Sequence, residues 1–210
     1  MLVETLQASC QGWLVVPGGA SRILEVASEL GTPAPARRGD PILATLTARS
    51  HEEANRRSLS AIYGRGAFPF HTDCAHWAVP GRYVLLGSLQ DGSTEPTLLA
   101  RWPTELAHSV REVLLRSTFL VRNGRHSFYA GALNQLRGFL RFDPGCMVPV
   151  DDDAHQAAAL VRSTIGGSVV YEHHWRKGDL LVLNNWVVLH SRPPVDRGHS
   201  RQLTRVLVRP

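Results

Sequence analysis

His71-Thr72-Asp73, joined far downstream by His190 and then Arg201, is the set of residues in this 210-residue chain best suited to chemistry. Two imidazoles and one carboxylate can hold one face of an octahedral Fe(II) ion. The remaining positions then stay open for a cosubstrate and O2. His71 and Asp73 stand at i and i+2, so a strand through this segment points both side chains to one face and Thr72 to the other. His190 closes an apolar run, Leu180 to Leu189, that reads as two strands around an Asn184-Asn185 turn. The dipeptide spacing alone proves little. With ten histidines and nine aspartates in the chain, a His-x-Asp match arises by chance, and it then marks only a surface histidine beside a strand-end aspartate.

The distal context changes that balance. Trp175-Arg176-Lys177-Gly178-Asp179 leads into the apolar run, His190-Ser191-Arg192 follows it, and Arg201-Gln202-Leu203-Thr204-Arg205 comes next. With these residues the chain resembles the Fe(II)/2-oxoglutarate-dependent dioxygenases of the taurine dioxygenase and clavaminate synthase type. The resemblance extends over residues 58 to 208. It implies a metal triad of His71, Asp73 and His190. It implies that Arg201, eleven residues after His190, grips the distal carboxylate of 2-oxoglutarate. Thr97, in Pro96-Thr97-Leu98-Leu99, would partner that carboxylate, and Arg205 would face an anionic group of the substrate. An Arg fork suits a carboxylate better than a Lys point charge does.

The elements that must position these residues are mostly short strands. Trp13 to Val16, Ile42 to Thr47, Arg82 to Gly87, Thr97 to Ala100, Ser117 to Val121, Ser127 to Ala130, Gly138 to Phe142 and Val169 to Glu172 are strand candidates. Helices are expected over Arg22 to Leu30 with Ser21 as N-cap, from Pro103-Thr104 through Leu114, and over Ala154 to Ile165 behind the acidic Asp151-Asp152-Asp153. Thr32 to Pro41 reads as an irregular linker and His51 to Ser60 as a short helix. This pattern predicts a mainly β protein with flanking helices. The resemblance narrows it to a double-stranded β-helix, or jelly roll, with helices on one outer face. In such a fold His71 and Asp73 on an early strand and His190 on a late one open into a single mouth.

Length and a hydrophobic content of 43% suit a single domain over residues 1–210 with one sizeable core. No stretch approaches the ~18 apolar residues of a membrane helix, and Met1-Leu2-Val3-Glu4-Thr5 lacks the features of a signal peptide. Cys10, Cys74 and Cys146 are scattered without metal spacing, which fits a reduced, cytoplasmic setting. Cys74 reads as a packing residue. The net charge of +5 comes almost wholly from arginine, since Lys177 is the only lysine. The arginines are dispersed and no aromatic-basic repeat appears, so nucleic acid is not the expected partner. Adjacent His173 and His174 diverge on a strand and cannot both face one metal; His76 and His199 are the other competing ligands.

The expected function is hydroxylation of a small, anionic or amino-acid-like molecule, using Fe(II), 2-oxoglutarate and O2 and releasing succinate and CO2. Asp73 fills the position that halogenating relatives leave to halide. Ala67 stands where the taurine enzyme has a substrate-contacting Asn, which argues against taurine. The chain is also shorter than typical members, leaving less sequence for a lid. The alternatives are the same chemistry on a nucleic acid or protein, or a jelly-roll binding module without catalysis. Nothing in the sequence fixes the oligomeric state.

Overall fold

A computed structural model describes residues 4–6, 9–56, 58–90, 95–103, 105–166, 171–196 and 201–210, and strands dominate them. In chain order they are β1 (Trp13–Val16), β2 (Thr32–Ala34), β3 (Ala44–Thr47), β4 (Phe68–His71), β5 (Tyr83–Gly87), β6 (Thr97–Arg101), β7 (Phe119–Val121) and β8 (Phe128–Ala130). Then come β9 (Leu133–Asn134), β10 (Phe139–Leu140), β11 (Met147–Pro149), β12 (Tyr171–His173), β13 (Leu180–Asn184), β14 (Val188–Arg192) and β15 (Gln202–Arg209). Helices α1 (Ile23–Leu30), α2 (Leu59–Tyr63), α3 (His108–Arg116) and α4 (Asp152–Gly166) are set between them.

Two antiparallel sheets build the body. The larger has six strands in the order β1-β13-β5-β15-β2, with β3 also paired to β15. The smaller has four strands in the order β12-β6-β14-β4. Alternation along each strand decides what lies between them. Val84, Leu86, Leu181, Leu183, Leu203 and Leu207 of the larger sheet share one core with Leu99 and Val188 of the smaller. The interleaved set, Leu85, Leu180, Val182, Val206 and Val208, packs against Ile23, Val26, Ala27 and Leu30 of α1. A strand with both faces covered must be apolar throughout, which is why Leu180 to Leu183 form an unbroken and fully buried run.

Ala100 and Leu189 on the far face of the smaller sheet meet Val113 and Leu114 of α3 and Ala154, Ala157, Ala158 and Val161 of α4. The helices therefore flank both sheets, not one outer face as expected. The larger sheet's second face is as apolar as its first and needs a cover of its own.

Local differences have local causes. Thr32 to Ala34, expected to be irregular, forms β2 and pairs with Leu207–Arg209; Pro33 is tolerated because β2 is an edge strand. His51 to Ala54 make turns, and the helix is displaced to α2. The first helix begins at Ile23 behind a short 3-10 turn over Gly19–Arg22, with no side-chain cap from Ser21. Of the expected strand and helix starts, Val169, Val170 and Thr104 lie outside the described residues.

Candidate metal and cosubstrate site

β4 and β14 are neighbours in the smaller sheet, and their ladder sets His71 directly opposite His190. The two imidazole rings lie 4.4 Å apart between centroids. Asp73 reaches them by a different route from the expected strand. β4 ends at His71, and the Thr72 N–H donates to Phe142 O at 2.7 Å. The chain then turns through Cys74, whose φ of 54° is the left-handed value rarely taken by a side-chain-bearing residue. The turn swings the carboxylate back. Oδ1 lies 4.0 Å from His71 Nε2 and Oδ2 lies 3.9 Å from His190 Nε2. One donor atom from each of the three residues falls within 4.8 Å of the other two.

The protonation states suit a metal. His71 Nδ1 lies 3.0 Å from Pro69 O, the arrangement of an N–H donating to a carbonyl, which leaves the Nε2 lone pair free. Burial, then the nearby His71, pushes the His190 pKa down to about 3, so this imidazole is neutral at ordinary pH. Burial opposes ionisation of Asp73, but Arg205, His190 and His71 together hold its pKa at about 2. Two neutral imidazoles and one carboxylate are a donor set for Fe(II).

Thr97 opens β6, the strand beside β14, and is buried. Its hydroxyl accepts from Trp175 Nε1 at 3.1 Å and from Arg201 Nη2 at 2.7 Å. The Arg201 guanidinium is partly stripped of water: burial first, then the charge of Arg192, lowers its pKa to about 10. Its Nε is buried without a hydrogen-bond partner among the described residues. A buried, under-satisfied guanidinium fits a carboxylate. Arg205 lies not apart from the metal centre but on it, with Nη1 3.2 Å from both Asp73 carboxylate oxygens. Its charge reinforces the ionised state of that ligand. All six residues border one cavity of ≈1020 Å³.

The competing histidines stay out of the triad, although His76 borders the same cavity. His76 Nε2 faces Ala36 O, His173 faces Asp179, and His174 is exposed beside Glu172; His199 lies outside the described residues. Cys74 packs into the inter-sheet core, and burial raises its thiol pKa.

Two residues that sequence reasoning passed over hold the ligand turn in place. Asn185, read only as a turn former, is 1% exposed. Its Oδ1 accepts from Asp73 N–H at 2.9 Å, and its Nδ2 donates to Asp73 O at 3.0 Å and Gly81 O at 2.8 Å. Arg141 is buried between the rings of Phe128 and Phe139. It donates to Ala75 O, Trp77 O and Ala78 O at 2.5, 2.6 and 2.7 Å. A signal for Arg141 was present: it is a lone charge inside a segment, Gly138 to Phe142, otherwise read as buried strand.

An antiparallel two-sheet fold that presents two histidines and an aspartate beside a buried Thr-Arg pair defines a class, the non-haem iron oxygenases that use a keto-acid cosubstrate. A family model described as taurine catabolism dioxygenase TauD, TfdA family, matches residues 105–207, so the C-terminal part of the chain is similar to this family. The matched segment contains His190, Arg201 and Arg205.

Solved structures share the fold over nearly the whole chain. The non-heme iron oxygenase OrfP in complex with Fe and alpha-ketoglutaric acid is 18% identical, with a TM-score of 0.78 over 99% of this chain and 78% of that one. The same enzyme with Fe, succinate and (3S)-hydroxy-L-Arg gives 18% identity and a TM-score of 0.76 over 99% and 79%. Asparagine oxygenase with Fe(II), 2S,3S-3-hydroxyasparagine and succinate gives 18% and 0.76 over 99% and 78%. No curated protein matches the chain in sequence.

Proposed function

We propose that this chain is an Fe(II)- and 2-oxoglutarate-dependent dioxygenase that hydroxylates a small, amino-acid-like molecule. One C–H bond of the substrate becomes C–OH, with O2 and 2-oxoglutarate consumed and succinate and CO2 released. The observation that carries this reading is the meeting of His71, Asp73 and His190 within 4.8 Å of one another, in the same cavity as the Thr97–Arg201 pair. Similarity to oxygenases crystallised with hydroxylated arginine and asparagine supports the substrate class.

In this reading His71, Asp73 and His190 hold the iron, which supplies oxidative decarboxylation of the cosubstrate coupled to oxidation of the substrate carbon. Arg201 and the Thr97 hydroxyl receive the distal carboxylate of 2-oxoglutarate and set its orientation. Trp175 fixes the Thr97 hydroxyl through its indole N–H. Arg205 keeps Asp73 ionised and uses only Nη1 on it, so donors remain for an anionic group of the substrate. The paired sheets exclude water around the ligands, whose side chains are about nine-tenths buried.

Two antiparallel sheets sharing one core support a jelly roll formed as a single domain over residues 1–210. A cytoplasmic location belongs to the same reading, supported by the free thiols of Cys10, Cys74 and Cys146. Among the described residues no helix is long and apolar enough to cross a membrane.

The test is succinate formation by the purified chain with Fe(II), 2-oxoglutarate and O2, together with iron binding by wild type and Asp73→Ala. Iron-dependent succinate release in wild type and its loss in the variant are expected. No iron binding by wild type would leave only a jelly-roll binding module.

A further inference from the structure

We propose that the mouth of the cavity carries a second anion subsite, drawn from Arg49, Arg56 and Arg122 on its wall, that selects substrates bearing a phosphoryl or second carboxylate group. The inference rests on the reading of the inner site as an iron and 2-oxoglutarate centre, and it names the substrate class that centre would serve.

Size is the first argument. The cavity measures ≈1020 Å³, at the upper end of the roughly 300–1,000 Å³ typical of small-molecule sites. A five-carbon diacid occupies only a small part of such a space. The remainder leaves room for a substrate, and the side chains around it bear on what that substrate is.

Charge is the second. Each inner arginine already has a partner within the protein. Arg201 lies on Thr97, Arg205 lies on Asp73, and Arg192 is stacked on Phe68 with its donors on the carbonyls of Gly64, Arg65 and Pro193. Loading does not alter the balance there, because an Fe(II) ion and a dicarboxylate cancel. Among the described residues of the outer wall, the charges of Arg37 and Asp40 cancel in the count, and Asp143 is the only other acidic residue outside the ligand set. Against it stand Arg49, Arg56 and Arg122. Two unit charges of excess therefore face the substrate. A cleft with walls of low polarisability concentrates such a field.

Commitment of the side chains is the third. Among the described residues the guanidinium groups of Arg56 and Arg122 make no ion pair and no hydrogen bond, and Arg49 reaches only the Thr47 hydroxyl at 3.4 Å. The three come from separate stretches: the segment after β3, the turns before α2, and the end of β7. All of them border the cavity that contains the metal ligands. Guanidinium is the group best matched to phosphate and carboxylate geometry.

The structure thus assigns to this chain a substrate with net negative charge, carrying a phosphoryl group or a second carboxylate at the end remote from the iron. A cationic amino acid such as the arginine derivative bound by OrfP is the wrong sign for this mouth.

The experiment is equilibrium binding of O-phospho-L-serine, L-aspartate and L-arginine to the full chain. It is run without oxygen, with and without Fe(II) and 2-oxoglutarate, at low and moderate salt. Both anions should bind at least about tenfold more tightly than L-arginine, with affinity falling as salt rises. The tighter of the two anions tells whether the group is phosphoryl or carboxylate. Arg56→Glu/Arg122→Glu should remove the preference, and the milder Arg122→Gln should reduce it. Equal or tighter binding of L-arginine, binding indifferent to salt, or an unchanged preference in the charge-reversed variant overturns the proposal. Tight binding of a random oligonucleotide that depends on the same arginines also overturns it. Failure of the inner-site reading looks different: the preference for anions persists, but no iron-dependent succinate is formed.

Discussion

The inner wall of the cavity and its mouth are built on opposite principles. At the inner wall the turn that carries Asp73 is tied down. Asp73 is held by its backbone through Asn185 and by its carboxylate through Arg205, and the turn beyond it is pinned by three hydrogen bonds from Arg141. Two ligands sit opposite each other on one ladder. At the mouth, Arg49, Arg56 and Arg122 are exposed and come from connecting segments. The difference separates the part that does the chemistry, which tolerates little displacement, from the part that chooses the substrate, which loops can vary.

The largest effect that tests this contrast is at the metal. Asp73→Ala or His190→Ala should abolish iron binding and succinate formation, measured by metal analysis after anaerobic loading. Full iron occupancy in either variant would break the assignment. Next comes the cosubstrate anchor. Arg201→Ala should raise the KM for 2-oxoglutarate about 10- to 100-fold, the worth of a buried charge-assisted pair, and Thr97→Val should raise it less. An unchanged KM would move the cosubstrate elsewhere.

The braces are a step smaller. Asn185→Ala strands buried backbone groups of Asp73 and Gly81, and Arg141→Met strands three carbonyls. Each should cost about 2 kcal/mol in denaturant unfolding and weaken iron binding, whereas Arg56→Gln at the mouth should change stability by less than ~0.5 kcal/mol. Similar losses at both ends would erase the contrast.

A further effect concerns acid. Folded His190 has its pKa lowered from 6.5 to about 3, so only the unfolded chain takes up that proton as pH falls below 6.5. Asp73, lowered from 3.8 to about 2, adds stability above 3.8 that is lost as pH falls further. Metal-free protein should lose stability steadily from pH 6.5 downward, and His190→Phe should flatten the upper part of that decline.

How much of this was legible depends on whether a residue's role is local. The apolar runs of β5 and β13 declare themselves, because a doubly covered strand is apolar at every position. The resemblance implied that Arg201 and Thr97 share one carboxylate, and the structure has the Arg201 guanidinium 2.7 Å from the Thr97 hydroxyl. Asp73 lies beyond the end of β4, in the turn that leads to the left-handed Cys74, and not on the strand that alternation assumed. Asn185 was invisible because an Asn-Asn turn explains itself locally, while its partners lie 104 and 112 positions away. Arg205 was expected, from the resemblance, to face an anionic group of the substrate; its contact with Asp73 follows from the approach of two sheets, which no one-dimensional spacing contains.

Strand β15 has a consequence for how the protein comes into being. Residues 202–209 do not lie on an edge but inside the larger sheet, paired to β5 on one side and to β2 and β3 on the other. Until that strand is inserted, the sheet is open down its middle, α1 has half a floor, and Arg201 and Arg205 are absent from the cavity. A ribosome-bound chain lacking these residues exposes two unpaired strand edges and has no pocket for a keto acid. Folding must therefore wait for synthesis of the site's late residues, and pairings so distant in sequence close slowly. Iron that meets a chain not yet extended through β15 finds histidines but no finished centre.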